Sequence, residues 1–340
     1  MDNYKIFDYL KEGNNDKINN LSINSRLELI NYINQYYLEY RDNIDINSND
    51  TFGFEMEAEC FKYSKIYYLM QRNNFDLTKW VIKPDNSLYR GYEVVTPILG
   101  KNNIDWNKIE LICEIIKNCS KTGIHAASHI HVGAHKLNND CETINKFVLL
   151  WCAYENVIYR FAYGEFLNER PHILSYSWPV ASDWYNMLKV INNSNLSPIV
   201  MLKWLSRNKK EYAVNLCNAK SLEQELDKNT IEFRMFNYTL NQIIWQNNYN
   251  LLKNLLDYCN NSFFDYDVVY ERIEKNKKYF DDLDYYRKID LDGVIELCDL
   301  IFKENTDKIY FLRQYLKNME ETNKKSLQPA KQFTRIPISI

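Results

Sequence analysis

Glu55, Glu57 and Glu59 stand at alternate positions in the stretch Phe52 to Cys60, with Met56 and Ala58 between them. Side chains on a β-strand point to opposite faces with period two. As a strand, this stretch turns Phe52, Phe54, Met56, Ala58 and Cys60 toward a core and three carboxylates to the other side. Those carboxylates then lie about 7 Å apart, given a rise of about 3.3 Å per residue. Acids crowded this closely repel one another unless a cation neutralises them, and hard divalent ions take oxygen ligands of this kind. Taken alone, the pattern suits a solvated strand face equally well.

The same spacing recurs twice. His129 and His131 flank Ile130, and Glu232 and Arg234 flank Phe233. Glu93 lies on a further strand-like run, shortly after Asp85. Each piece has a plain explanation by itself: two partly exposed histidines, a same-strand ion pair worth under ~1 kcal/mol, a turn at Asp85-Asn86-Ser87. If the strands share a sheet, however, they build one packed face and one wall of carboxylates, imidazoles and a guanidinium. Like charges make that wall a poor surface for stability and a good one for metal–phosphate chemistry. G-x-x-x-x-G-K-S/T, H-E-x-x-H and G-x-S-x-G are all absent, and eight glycines provide no Gly-rich phosphate cradle. Any nucleotide here must be held by metal and arginine.

The elements that position these groups follow from periodicity. Ser25 to Glu28 fits a capping box, followed by Leu29, Ile30, Ile33, Tyr37 and Tyr40 at helical spacing. The polar run 42–50 reads as a linker. Strands are expected at 80–83, 92–96, 128–133, 212–216 and 230–236, with a turn at Pro84 to Ser87. Helices are expected at 64–72, after Asp105, from Asp140 with Phe147, Leu150, Trp151, Tyr154, Ile158 and Phe161 on its buried stripe, and over 183–207. Residues 164–180 read as a loop carrying Arg170. From Asn241 to Glu321 the pattern is helical, and the tail after Asn323 is loose.

Composition narrows the class. The chain has 340 residues, 46% hydrophobic and 26% charged, enough for a sizeable core. A net charge of -3 gives no sign of a nucleic-acid partner. Eight scattered cysteines without a C-x-x-C pair suit buried thiols in a reducing compartment. No signal-peptide pattern opens the sequence, and the longest apolar stretch is too short to span a bilayer. A cytoplasmic protein with no membrane partner is the expectation.

Several short runs combine into something more specific. They are Gly53 to Glu57, Asp85 to Leu88, Gly91 to Pro97, His129 to Gly133, Tyr212 to Leu216 and Thr230 to Phe236. In order and approximate spacing this set resembles the amidoligase family, within the carboxylate–amine ligase and glutamine synthetase superfamily. The resemblance covers roughly residues 51–245. It implies an α+β fold, a glutamine synthetase-like curved antiparallel β-sheet backed by helices. A helical extension at 1–50 precedes that core, and a helical region at 246–340 packs on it. The open face is implied to bind ATP with two or three Mg2+ or Mn2+ ions. By matching position, Glu55, Glu57, His129 and Glu232 are implied metal ligands, and His131 touches metal or phosphate. Arg234 contacts the transferring phosphoryl group, Asn215 orients substrate or nucleotide, and Arg170 precedes a substrate loop. Glu93 is a further ligand or borders the amine site. The sequence departs from the family pattern at Asn86 and Tyr238, where glycine is usual. It also lacks an arginine beside Tyr212, where Glu211 and Ala213 stand instead.

The activity implied is ATP-dependent amide formation between a carboxylate and an amine through an acyl phosphate. The substrates are small molecules, peptides or protein side chains. Glu59 or Glu93 would take a proton from the attacking ammonium. Other readings of the same residues are a phosphotransferase, a non-catalytic binding member and a metal-dependent hydrolase. Superfamily relatives are often assemblies, so a homo-oligomer is among the expectations.

Overall fold

The computed structural model describes residues 44–121, 125–137, 139–163, 176–191, 195–219 and 229–315. The expected helix after Ser25, Gly123, Arg170, Leu316 and the tail after Asn323 lie outside the described residues. Six strands form one antiparallel sheet: β1 (Phe52–Ala58), β2 (Val81–Asp85), β3 (Gly91–Val95), β4 (Ala127–Gly133), β5 (Val214–Asn215) and β6 (Thr230–Asn237). Their order is β2-β3-β1-β4-β6-β5, so the strand bearing the glutamates sits near the middle. The fold is α+β, as expected.

The helices among the described residues are α1 (Tyr63–Arg72), α2 (Trp106–Cys119), α3 (Cys141–Tyr163), α4 (Ala181–Ile191), α5 (Pro198–Ser206), α6 (Gln242–Cys259), α7 (Tyr266–Asn276), α8 (Leu291–Ile301) and α9 (Asn305–Tyr315). Asp105 caps α2 by accepting from the N–H groups of Asn107 and Lys108. The apolar face of the sheet packs on α3 and α6. Phe52 stacks on Tyr249 at 3.8 Å, Phe54 lies 4.7 Å from Trp245, and Phe233 lies 5.7 Å from Trp151. Burying each such ring contributes about 1.5–3 kcal/mol. From Lys146 to Tyr163 every residue of α3 is buried, because β6 covers one side and α4, α7, α8 and α9 the others. Enclosure all round explains a buried surface wider than the expected stripe, and it takes in the polar Glu155, Asn156 and Arg160 as well.

Four departures from expectation have physical causes. β2 runs on through Pro84 and Asp85, which the turn composition had assigned to a loop. It is an edge strand, where proline's missing N–H is tolerated. The single helix expected over 183–207 is two, because Pro198 opens α5 at its first turn. The strand expected at 212–216 shrinks to Val214–Asn215, while Tyr212 bridges to Trp178. The polar run before β1 buries Ile44 and Ile46, and the Ile44 N–H donates to Gln246 Oε1. One glycine is dictated by close approach. A Cβ on Gly91 would stand 2.1 Å from that of Leu88, which closes the β2–β3 turn over it.

Candidate functional site

The face of the sheet turned away from α3 and α6 forms the floor of a cavity of about 590 Å³. Register decides which groups meet there, since residues directly opposite on adjacent strands share a face. Glu57 pairs with Glu93, Glu55 with His129, His131 with Glu232, Lys83 with Glu93 and Asn215 with Glu232. Between β4 and β6 the register shifts: Ser128 faces Phe236 while Ile130 faces Phe233. Two β6 residues, Arg234 and Met235, therefore stand opposite His129 alone. Alternation from Glu232 turns Arg234 into the cavity, and the bulge lets both Met235 and Phe236 reach the core.

The floor holds two groups of candidate metal ligands. Glu55, His131 and Glu232 form one, and Glu57, Asp85 and Glu93 the other. Within each group, one ligand atom per residue lies within 4.8 Å of the others. His129 stands between them, its Nδ1 3.3 Å from Glu55 and 3.7 Å from Glu232, its Nε2 3.5 Å from Glu57. Carboxylate oxygens and an imidazole are donors that divalent metal ions accept. One atom fits that use closely. His131 Nε2 is buried and makes no hydrogen bond; it lies 3.3 Å from Glu55 Oε1, while Nδ1 contacts Thr230 Oγ1 at 3.2 Å.

The two groups differ in proton affinity. Burial works to raise the Glu55 carboxyl, but the His129 and His131 imidazoles beside it hold it well below the usual range. Glu232 is lowered too, as His129 and Arg234 outweigh its burial. In the other group burial prevails. It raises Glu57, helped by the charge of Asp85, and it pushes Glu93 up to about 7, helped by the charge of Glu55. Burial lowers the His129 imidazole, but the facing carboxylates, Glu57 first, raise it overall.

Arg234 donates through Nη1 to Glu232 and through Nε to the Tyr176 carbonyl at 3.4 Å. The segment bearing Tyr176 is tied down by Trp178, whose N–H donates to the Glu211 carbonyl and whose carbonyl accepts from the Ala213 N–H. Asn215 Nδ2 donates to Glu232 Oε2 at 2.6 Å, and its Oδ1 accepts from the Cys217 N–H. Its amide thus orients a carboxylate of the site.

Of the residues singled out by sequence, Glu55, Glu57, Glu93, His129, His131, Asn215, Glu232 and Arg234 all line the cavity. Glu59 does not. β1 ends at Ala58, Glu59 forms an isolated bridge to Lys121, and its Oε1 is buried without a hydrogen bond. Sequence reasoning gave no role to Asp85 or to Lys83, whose ammonium pairs with Glu93 and lies 3.6 Å from Glu55 Oε1. Alternation of Lys83 and Asp85 across Pro84 was the available signal. Lys210, two residues before Tyr212, also lines the cavity and supplies a cation at its β5 end.

The eight cysteines form no disulfide, and no described helix is long and apolar enough to cross a membrane. A search of curated proteins finds no match. Residues 56–256 match the family model described as "Putative amidoligase enzyme". That is more than half of the chain, which therefore belongs to this family.

Proposed function

We propose that the chain is an ATP-dependent carboxylate–amine ligase working on a glutamine synthetase-like scaffold. The observation that carries this reading is the pair of ligand groups side by side on one cavity floor, with Arg234 beside them. A polyphosphate needs several positive charges placed along it, and two ions plus a guanidinium meet that need. Divalent ions held by Glu55, His131 and Glu232, and by Glu57, Asp85 and Glu93, would neutralise charge on the phosphates.

In the reaction a substrate carboxylate oxygen attacks the γ-phosphorus of ATP, and the bond from that phosphorus to the ADP oxygen breaks. The acyl phosphate formed is then attacked at its carbon by an amine, and inorganic phosphate leaves. Arg234 is held between Glu232 and the Tyr176 carbonyl, where it can stabilise charge on the transferring group. Through the oxygen that it does not lend to an ion, Glu93 can accept the proton of the attacking ammonium. Glu59, outside the cavity, is not proposed for that role. The substrates are a carboxylate and an amine, each a small molecule or borne by a peptide or protein.

The test is to supply ATP, Mg2+ and hydroxylamine with a panel of carboxylates. A hydroxamate formed in step with ADP supports the reading, because hydroxylamine traps an acyl phosphate. A stable phosphorylated product without hydroxamate would move the assignment to a phosphotransferase. Cleavage of a substrate in the absence of ATP would move it to a hydrolase.

A further inference from the structure

Two lysines in the cavity, Lys83 and Lys210, have no part in the chemistry above. Lys83 is on the edge strand β2, in register with Glu93, and its side chain is 43% exposed. Its ammonium pairs with Glu93 Oε1 and lies 3.6 Å from Glu55 Oε1. Those two carboxylates belong to different ligand groups. Lys83 therefore spans both groups, and it does so through carboxylates that a metal would also use.

We propose that Lys83 is the resident counter-cation of the cleft, which competes with divalent ions for Glu55 and Glu93 and, once displaced, faces the phosphates of bound nucleotide. The inference rests on the metal–nucleotide reading given above. Two cations cannot share the same lone pairs at full strength, so a metal that takes Glu93 loosens the ammonium. Lysine suits the exchange, being a compact charge on a flexible stem rather than a rigid fork. The exposed stem leaves room for Nζ to move along the cavity. Metal uptake would then release a positive charge toward an anionic ligand, which couples the two binding events.

The coupling has a signature that a merely structural lysine lacks: its removal moves two affinities in opposite directions. Mn2+ binding, followed by electron paramagnetic resonance without nucleotide, is expected to tighten about tenfold in Lys83→Met. A non-hydrolysable ATP analogue at saturating Mn2+ is expected to bind the same variant about tenfold more weakly, through loss of a charge-assisted hydrogen bond. Lys83→Arg, which keeps the charge, should stay near the parent protein in Mn2+ affinity. Should the methionine variant not fold, Lys83→Gln carries the same prediction. Unchanged or weaker Mn2+ binding in a folded neutral variant overturns the competition. Unchanged analogue binding overturns the release toward phosphate. Absence of Mn2+ binding by the parent protein removes the metal reading itself, and this inference with it.

Discussion

Glu155 and Glu57 are both buried carboxylates, and the chain treats them in opposite ways. Glu155, on α3, accepts from Trp151 Nε1 at 2.8 Å, the Val180 and Ala181 N–H groups at 2.7 and 2.9 Å, and the Tyr286 hydroxyl at 2.9 Å. The N–H groups of Val180 and Ala181 belong to the start of α4, so this side chain fastens one helix to another. Glu57 has one backbone donor, the Ala127 N–H at 2.7 Å, and otherwise faces His129 and two more acids. Protein groups complete the shell of Glu155. Around Glu57 they leave it incomplete and add like charge. A carboxylate that the fold satisfies is architecture; one that the fold leaves short of donors is poised for a cation.

The largest expected effect falls on the architectural member. Glu155→Ala strands four donors and opens a cavity, which should cost about 3–5 kcal/mol in denaturant unfolding. A loss below ~1 kcal/mol would mean that water replaces the carboxylate and that the contrast is not one of satisfaction. Glu57→Gln should do the reverse. Burial raises the Glu57 carboxyl in the folded state, so its ionisation opposes folding as pH climbs through that range. The neutral isostere escapes this and keeps an acceptor for the Ala127 N–H. Thermal melting without metal should show a gain of up to ~1 kcal/mol, while metal-dependent binding of an ATP analogue falls on the order of 100-fold.

Smaller effects sharpen the contrast within the site. Asn215→Ala removes the amide that holds Glu232 and should weaken Mn2+ binding about tenfold, with no drop in analogue affinity once metal is saturating. An equal drop at saturating metal would show that Asn215 touches the nucleotide instead. The pH dependence is the mildest. Glu93 binds a proton with a pKa of about 7, so an ion taking its place must displace that proton. Mn2+ affinity should rise by no more than about tenfold from pH 6 to pH 8 and then level off. In Glu93→Gln calorimetry should find weaker binding with that rise flattened.

Much of the floor was legible because period-two alternation does not depend on tertiary detail. Glu55 and Glu57, His129 and His131, and Glu232 and Arg234 could be assigned to one face from spacing alone. What escaped was set by neighbours in space. Pro84 and the turn-forming residues after it concealed that Lys83 and Asp85 belong to a strand. Proline is compatible with β2 only because that strand has a free edge, a fact of strand order rather than of sequence. Glu59 follows the same alternation as Glu55 and Glu57, yet the strand ends before it, and Cys60 takes a φ of 49° as the chain turns toward α1. The bulge at Arg234 leaves no mark in the residue pattern, because Met235 and Phe236 are both apolar and either phase reads as core. The break at Pro198 had its signal in the proline itself, yet the helical reading over 183–207 ran through it.

The most direct measurement is the affinity of a non-hydrolysable ATP analogue with and without Mg2+, for the parent protein and for Glu57→Gln. Mg2+-dependent binding by the parent, lost in a variant that melts no lower, is the predicted result. It would place the stability cost of the acid wall on the side of function. Analogue binding that ignores Mg2+, or that survives unchanged in Glu57→Gln, would contradict the account and return the carboxylates to the role of an ordinary charged face.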